Sequence, residues 1–167
     1  TFVTKERYWA AEDAGVLSLY EPDDWWHIKN IQDAIVLHTY SALQDKRIAD
    51  VGGSDSRTLR HFGKANEGYC IDAFEGEHGG ISAPPEIAGV RNIIAMMGTF
   101  NAAVPRAHFD VLYSISVVEH VASDQMDVFF EDCRQALKPG GEMMHLIDLY
   151  VEDDSSANAY ENERLEL

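Results

Sequence analysis

The sequence predicts an α/β domain built on a doubly wound, mainly parallel sheet. Three observations carry this. Five short apolar runs recur at residues 48–51, 69–71, 93–97, 111–115 and 143–147, and their continuous apolar character suits strands buried on both faces. Segments of helical periodicity fall between several of them, so strand and helix alternate. The first run ends in Asp50-Val51-Gly52-Gly53 immediately before a helical pattern, and such a strand-to-helix turn is where these sheets bind ligands.

The elements follow in chain order. Over residues 24–43, Trp25, Ile28, Ile31, Ile35 and either His38 or Ala42 recur at helical spacing after Pro22-Asp23-Asp24, which predicts a helix with Trp25 and Trp26 packed on the sheet. Residues 1–45 thus form an N-terminal helical cap, residues 46–150 the core and residues 151–167 an acidic tail. A second helix is expected over 56–64. After the second strand, "EGEHGGISAPPEIAG" (75–89) is rich in Gly and Pro and reads as a loop in which the usual crossover helix is missing or very short. A third helix over 124–137 presents Met126, Phe129, Phe130, Cys133 and Leu137 on one face, with Ser123 as its N-cap. The tail carries six acidic residues and one Arg, and no apolar run in it is long enough for a buried strand. The sheet is therefore expected to be truncated to about five strands, and its open edge to be covered by a second copy or a partner segment.

Composition narrows the function. The chain has 167 residues, 29 acidic against 13 basic, and a net charge of -16, which repels phosphate backbones when the basic residues are scattered, as here. No nucleic-acid partner is expected on that ground. No run approaches the roughly 18 apolar residues of a membrane span, and Lys5, Glu6 and Arg7 stand where a signal peptide is apolar. The two cysteines, Cys70 and Cys133, lack metal-type spacing. A cytoplasmic protein is expected. His27, His38, His61, His78, His108 and His145 share no ligand spacing either, and are read as surface or core residues.

Gly52-Gly53 lets a ligand approach the backbone closely. Asp72 ends the second strand 20 residues after Gly52, where a carboxylate accepts hydrogen bonds from both ribose hydroxyls. Counting from Gly52, a G-x-G-x-x-G fingerprint would need glycine where Ser54 and Arg57 stand, so the spacing points to an adenosine-type ligand more than to a nicotinamide dinucleotide.

"RIADVGGSDSRTL", "GYCIDAFE", "FDVLYSISVVEHV" and "CRQALKPGGEMMHLID", in this order, resemble the successive motifs of the class I S-adenosylmethionine-dependent methyltransferases over residues 46–150. The resemblance implies a Rossmann-like core, S-adenosylmethionine as cofactor and methyl transfer to a small-molecule acceptor. It implies that Asp50 and Gly52, with the adjoining Gly53 and Ser54, approach the methionine end of the cofactor, Asp72 the ribose, and Gly98-Thr99-Phe100 the adenine. Ser54 and Ser56 replace two glycines of the family's first motif, and Gly98 stands where many relatives carry an acidic residue. LKPGG (137–141) is the most family-specific string, with structural content only: a helix end turned into the fifth strand.

Methyl transfer from a sulfonium asks mainly for positioning and, where the nucleophile carries a proton, for a base. Ser114, Ser116, Glu119 and His120 cluster after the fourth strand. His120 is the candidate base, with capping of or packing against the adjacent loop as its alternative reading; Glu119, the second catalytic candidate, is a group that orients substrate or the preceding helix, and Ser116 is a further cofactor contact. Some relatives that methylate quinone precursors hold a metal with a Glu-His pair and a Glu upstream; Ser116 occupies the upstream position here, so no metal is expected. Two other readings stay open: an inactive cofactor-binding module working through a protein partner, and a nicotinamide-dependent oxidoreductase.

Overall fold

The computed structural model describes residues 28–76 and 80–148. The expected helix start at residue 24, Trp25, Trp26, His27, His78 and the acidic tail lie outside them. In chain order the elements are α1 (Ile28–Thr39), β1 (Arg47–Val51), α2 (Arg57–Phe62), β2 (Glu67–Asp72), β3 (Val90–Ile94), β4 (Phe109–Ile115), α3 (Met126–Ala136) and β5 (Leu137–Leu146). The five strands form one sheet in the order β3-β2-β1-β4-β5. Every pairing among the described residues is parallel, in keeping with the expected parallel sheet.

The continuous apolar runs divide between two layers because successive side chains leave a strand on opposite faces. Ala49, Val51, Tyr69, Ile71 and Leu112 pack with Phe129, Cys133 and Ala136 of α3. Ile48, Cys70, Val111 and Tyr113 pack on the other face with Val36 and Leu37 of α1 and Leu59 and Phe62 of α2. Phe109 shares a layer with Leu112 despite the odd spacing, and the β4–β5 register shifts between Phe109 and Val111. That irregularity is made by LKPGG: Leu137 pairs with Phe109 and Glu142 already with Val111, so residues 138–141 bulge out of the ladder.

Four expectations need correction. The third strand spans Val90–Ile94 and not 93–97, because the apolarity of Ala95 and Met97, both buried, belongs to the turn after the strand and not to the ladder. The fifth strand starts at Leu137, directly from α3, and ends before Ile147, which is exposed. Ser123 does not cap α3; it opens a turn of 3-10 helix, and Gln125 precedes α3 without a side-chain cap. On α1, His38 is exposed and Ile31 and Ile35 are half-buried, while Asn30, Gln32 and Asp33 are buried. The buried side of the helix joins Ala34, Val36 and Leu37, and Tyr40 just past its end, to these polar residues, of which Gln32 meets the exits of β4 and β5. As expected, no helix occurs among the described residues between β2 and β3.

The chain runs from β1 outward to β2 and β3, then returns to β4 on the other side of β1. The carboxyl ends of β1 and β4 therefore flank the point where the strand order reverses, the place where open parallel sheets leave a crevice.

Candidate active site at the carboxyl ends of the strands

At the end of β1 the backbone turns on Gly52, whose φ is +66°. Its N–H donates to the Ile71 carbonyl at 2.8 Å, and a Cβ here would lie 2.6 Å from Val117 Cγ2, so positive φ and close approach both require glycine. The two serines at family glycine positions have separate roles. Ser54 takes φ +49°; its N–H donates to Asp72 Oδ2 at 3.0 Å, and its Oγ accepts from Ile81 N at 3.0 Å. Ser56 caps α2 by accepting from Leu59 N, and its hydroxyl donates to Asp50 Oδ2 at 2.6 Å.

Asp50 is buried beneath this turn. Burial pushes its carboxyl from 3.8 up to about 7, opposed by the Ser56 hydroxyl and reinforced by nearby Asp33 and Asp72. Ser56 continues through Thr58 (3.1 Å) to the Tyr113 hydroxyl (2.7 Å), a buried polar chain that ties α2 to β4. On the other flank, Asp72 Oδ1 accepts from Phe74 N at 2.6 Å. Each Asp72 oxygen holds one backbone donor and keeps a further lone pair for a ligand hydroxyl.

Beyond β4, Ser116 is buried with φ +54°. Its hydroxyl donates to Gln32 Oε1 at 3.0 Å, while Gln32 Nε2 donates to Asp148 at 2.6 Å, so one α1 residue bridges the exits of β4 and β5. Asp33 of α1 pairs with Arg57 of α2 at 2.7 Å. After β3, the N–H groups of Gly98 and Phe100 both donate to Asp132 Oδ2 of α3, at 2.7 and 3.0 Å, and Arg106 pairs with the other oxygen. Pattern reading missed Gln32, Asp33 and Asp132. Their only sequence signal is a polar residue inside a helix that must pack on an apolar sheet.

These elements enclose one cavity of about 590 Å³, within the roughly 300–1,000 Å³ of ligand pockets. Asp50, Gly52, Gly53, Ser54, Asp72, Gly98, Thr99, Ser116 and His120 all line it, so the structure brings together nearly every residue singled out from the sequence. Glu119 and Phe100 are not on its wall. The Glu119 carboxyl is half-buried and raised by that burial, its Oε2 without a hydrogen-bond partner among the described residues. Ser114 also faces away, bonded to His145 Nδ1 at 2.8 Å. Among the described residues no group of His, Cys, Asp and Glu is placed to hold a metal.

A parallel sheet with its cavity at the strand-order reversal, and carboxylates at the ends of both β1 and β2, defines a doubly wound domain of the Rossmann-like class. The family model described as a methyltransferase domain matches residues 50–145, over half of the chain. The chain belongs to that family, in agreement with the motif resemblance and against the oxidoreductase reading. No curated protein sequence matches it.

Many solved structures share the fold. An S-adenosylmethionine-dependent methyltransferase from Leishmania major is 19% identical, with 83% of this chain and 60% of that one covered and a TM-score of 0.55. The 1,6-didemethyltoxoflavin-N1-methyltransferase of Burkholderia thailandensis, solved with bound 1,6-didemethyltoxoflavin and S-adenosylhomocysteine, is 16% identical over 87% of this chain and 64% of that one, TM-score 0.52. A TehB-like S-adenosylmethionine-dependent methyltransferase from Corynebacterium glutamicum is 15% identical over 66% and 59%, TM-score 0.52. The chain spans less than two thirds of the length of each; at these identities the likeness is one of fold.

Proposed function

We propose that the chain transfers a methyl group from S-adenosylmethionine to a small-molecule acceptor bound in the same cavity. The observation that carries this is that Asp50 and Asp72, near the ends of adjacent strands, line one cavity together with the Gly52–Ser54 turn. The residues fit the cofactor. A buried carboxyl with no cation bonded to it among the described contacts is suited to the ammonium of the methionine half, and the remaining lone pairs of Asp72 to the ribose hydroxyls. The cofactor, when bound, supplies an electrophilic methyl group on a sulfonium. Gly98 and Thr99 form the wall assigned to the adenine, and Ser116 anchors the β4 exit beside the methionine half.

The acceptor side is assigned to α1, with Lys29 and Asp33 on the wall, and to His120, which removes a proton from the acceptor where it carries one. Glu119 is assigned no contact with the acceptor; it positions the loop that carries His120. The net charge of -16 supports a small molecule over a nucleic acid as acceptor. Cys70 and Cys133, buried and unpaired, support a reducing, cytoplasmic setting. The exposed apolar residues on the β5 side support a homodimer through that edge.

Calorimetry with S-adenosylhomocysteine and NAD tests the reading. The first is expected to bind and stabilise the fold by about 2.7 kcal/mol at 100 times its Kd, and NAD to leave it unchanged. Asp72→Ala is expected to weaken S-adenosylhomocysteine by roughly 1.5–3 kcal/mol, the range for hydrogen bonds to a charged group. An unaltered affinity removes Asp72 from the site. Tight binding with no turnover over a panel of hydroxyl, amine and carbon acceptors would instead favour the inactive module.

A further inference from the structure

Asp132 lies on α3 with its side chain fully buried, and it is not on the cavity wall. Its Oδ2 receives two main-chain donors, Gly98 N at 2.7 Å and Phe100 N at 3.0 Å, and its Oδ1 the Arg106 guanidinium, which also reaches the Asp132 carbonyl at 3.4 Å. Both donating residues hold positive φ, +89° at Gly98 and +49° at Phe100. For Phe100, which has a side chain, that conformation is unfavourable and persists only where the surroundings over-determine it.

Those surroundings are on three sides. Arg106 Cζ sits 5.6 Å from the centre of the Phe100 ring, holding the residue by a cation–π contact. A Cβ on Gly98 would stand 3.3 Å from Phe129 Cα, so α3 backs the turn closely. Thr99 between them has its hydroxyl donated to Met96 O at 2.7 Å, which leaves the oxygen able to accept. The turn's Gly98 and Phe100 N–H groups are thus drawn to α3, while Gly98 and Thr99 form part of the cavity wall. Two amides converging on one anionic oxygen make a small main-chain nest, here filled by the protein's own carboxylate.

We infer that Asp132 is a positioning residue for base recognition: with Arg106 it holds the Gly98–Phe100 turn in the one shape that reads the amino edge of adenine. This rests on the cofactor reading above, and the test separates the two. Calorimetry compares S-adenosylhomocysteine with its inosyl counterpart, in which an oxygen replaces the amino group and turns a donor edge into an acceptor. The parent chain is expected to prefer the adenosyl ligand by about tenfold, one net hydrogen bond in affinity.

Asp132→Asn puts an amide where either the Arg106 guanidinium or the two main-chain donors need an acceptor. It is expected to reduce adenosyl affinity about tenfold while moving inosyl affinity less than about twofold, so the preference collapses. A general loss of packing would weaken both ligands together. Arg106→Gln, at a partly exposed position, is expected to shift the preference in the same direction, and it decides the matter if Asp132→Asn shows no cooperative melting. Folded variants that keep the parent's preference, or lose both ligands in parallel, overturn the inference. A parent chain that binds neither ligand overturns the cofactor reading instead.

Discussion

Asp50 shows how one residue couples the site to the stability of the fold. Its carboxyl is raised from 3.8 to about 7 chiefly by burial, so it favours the folded state fully below about pH 4, and that contribution is lost as pH rises through about 7. The rise corresponds to something on the order of 4 kcal/mol. Asp50→Asn is therefore expected to melt at a higher temperature than the parent above pH 7, with the difference vanishing near pH 4; equal melting across that range would place the strain elsewhere. The same proton reports on binding, since an ammonium beside Asp50 favours the ionised form. At pH 6, S-adenosylhomocysteine binding is expected to release a proton, seen as a dependence of the calorimetric heat on the buffer's ionisation enthalpy, and Asp50→Asn to abolish it. His120 has the complementary signature. His120→Ala is expected to leave S-adenosylhomocysteine affinity intact and reduce turnover by about 10²–10⁴; full turnover in that variant removes the base.

The elements of this site are joined by a few buried side chains and not by the sheet alone. Gln32 is the clearest case, because α1 meets the exits of β4 and β5 through its two bonds to Ser116 and Asp148. Gln32→Ala leaves the buried Ser116 hydroxyl without that acceptor, which is expected to cost about 1–3 kcal/mol. Local opening is also expected to rise, so amides of α1 should exchange hydrogen faster than those of β1. Uniform exchange changes across the sheet would mean that α1 is held by its apolar contacts with β1 and β4 instead. The helix pattern found this helix but set its apolar stripe on Ile31 and Ile35, which are half-buried, while Ala34, Val36 and Leu37 are buried. It was silent on the polar half, because Asn30, Gln32 and Asp33 read as solvent-facing until strand ends are placed over them.

At the scale of the whole molecule, β3 and β5 each pair on one side only among the described residues. Apolar side chains stand at both edges: Ile94 at 62% and Met96 at 53% exposure near β3, Met143 at 39% and Ile147 at 42% near β5. An unpaired edge bearing apolar side chains favours association, yet a chain of net charge -16 repels its own copies. Screening decides between these. Light scattering is expected to show a monomer at low ionic strength and a dimer as salt shortens the Debye length to about 8 Å near 0.15 M. A Met143→Lys variant should stay monomeric under both conditions; a dimer unaffected by it would move the interface away from β5.

Chain-local signals were sufficient for the architecture and for most of the residues that line the cavity. Runs of apolar residues, the Gly52-Gly53 turn and the separation between Gly52 and Asp72 are all legible because strand burial, positive φ and strand-end carboxylates depend on residues close in sequence. The third strand shows where this stops: Ile93 to Met97 is one apolar run to the eye, but only pairing with β2 decides that the ladder ends at Ile94 and that Ala95 and Met97 turn inward. Asp132, Gln32 and the raised carboxyl of Asp50 were decided by tertiary structure alone. Asp132 meets Gly98 across 34 positions and Gln32 meets Ser116 across 84, and whether a carboxyl is solvated or buried is a property of the layers folded over it. A sequence pattern records which side chains leave water together. It holds no record of which distant polar group each of them meets there, and that meeting shapes the walls of this cavity.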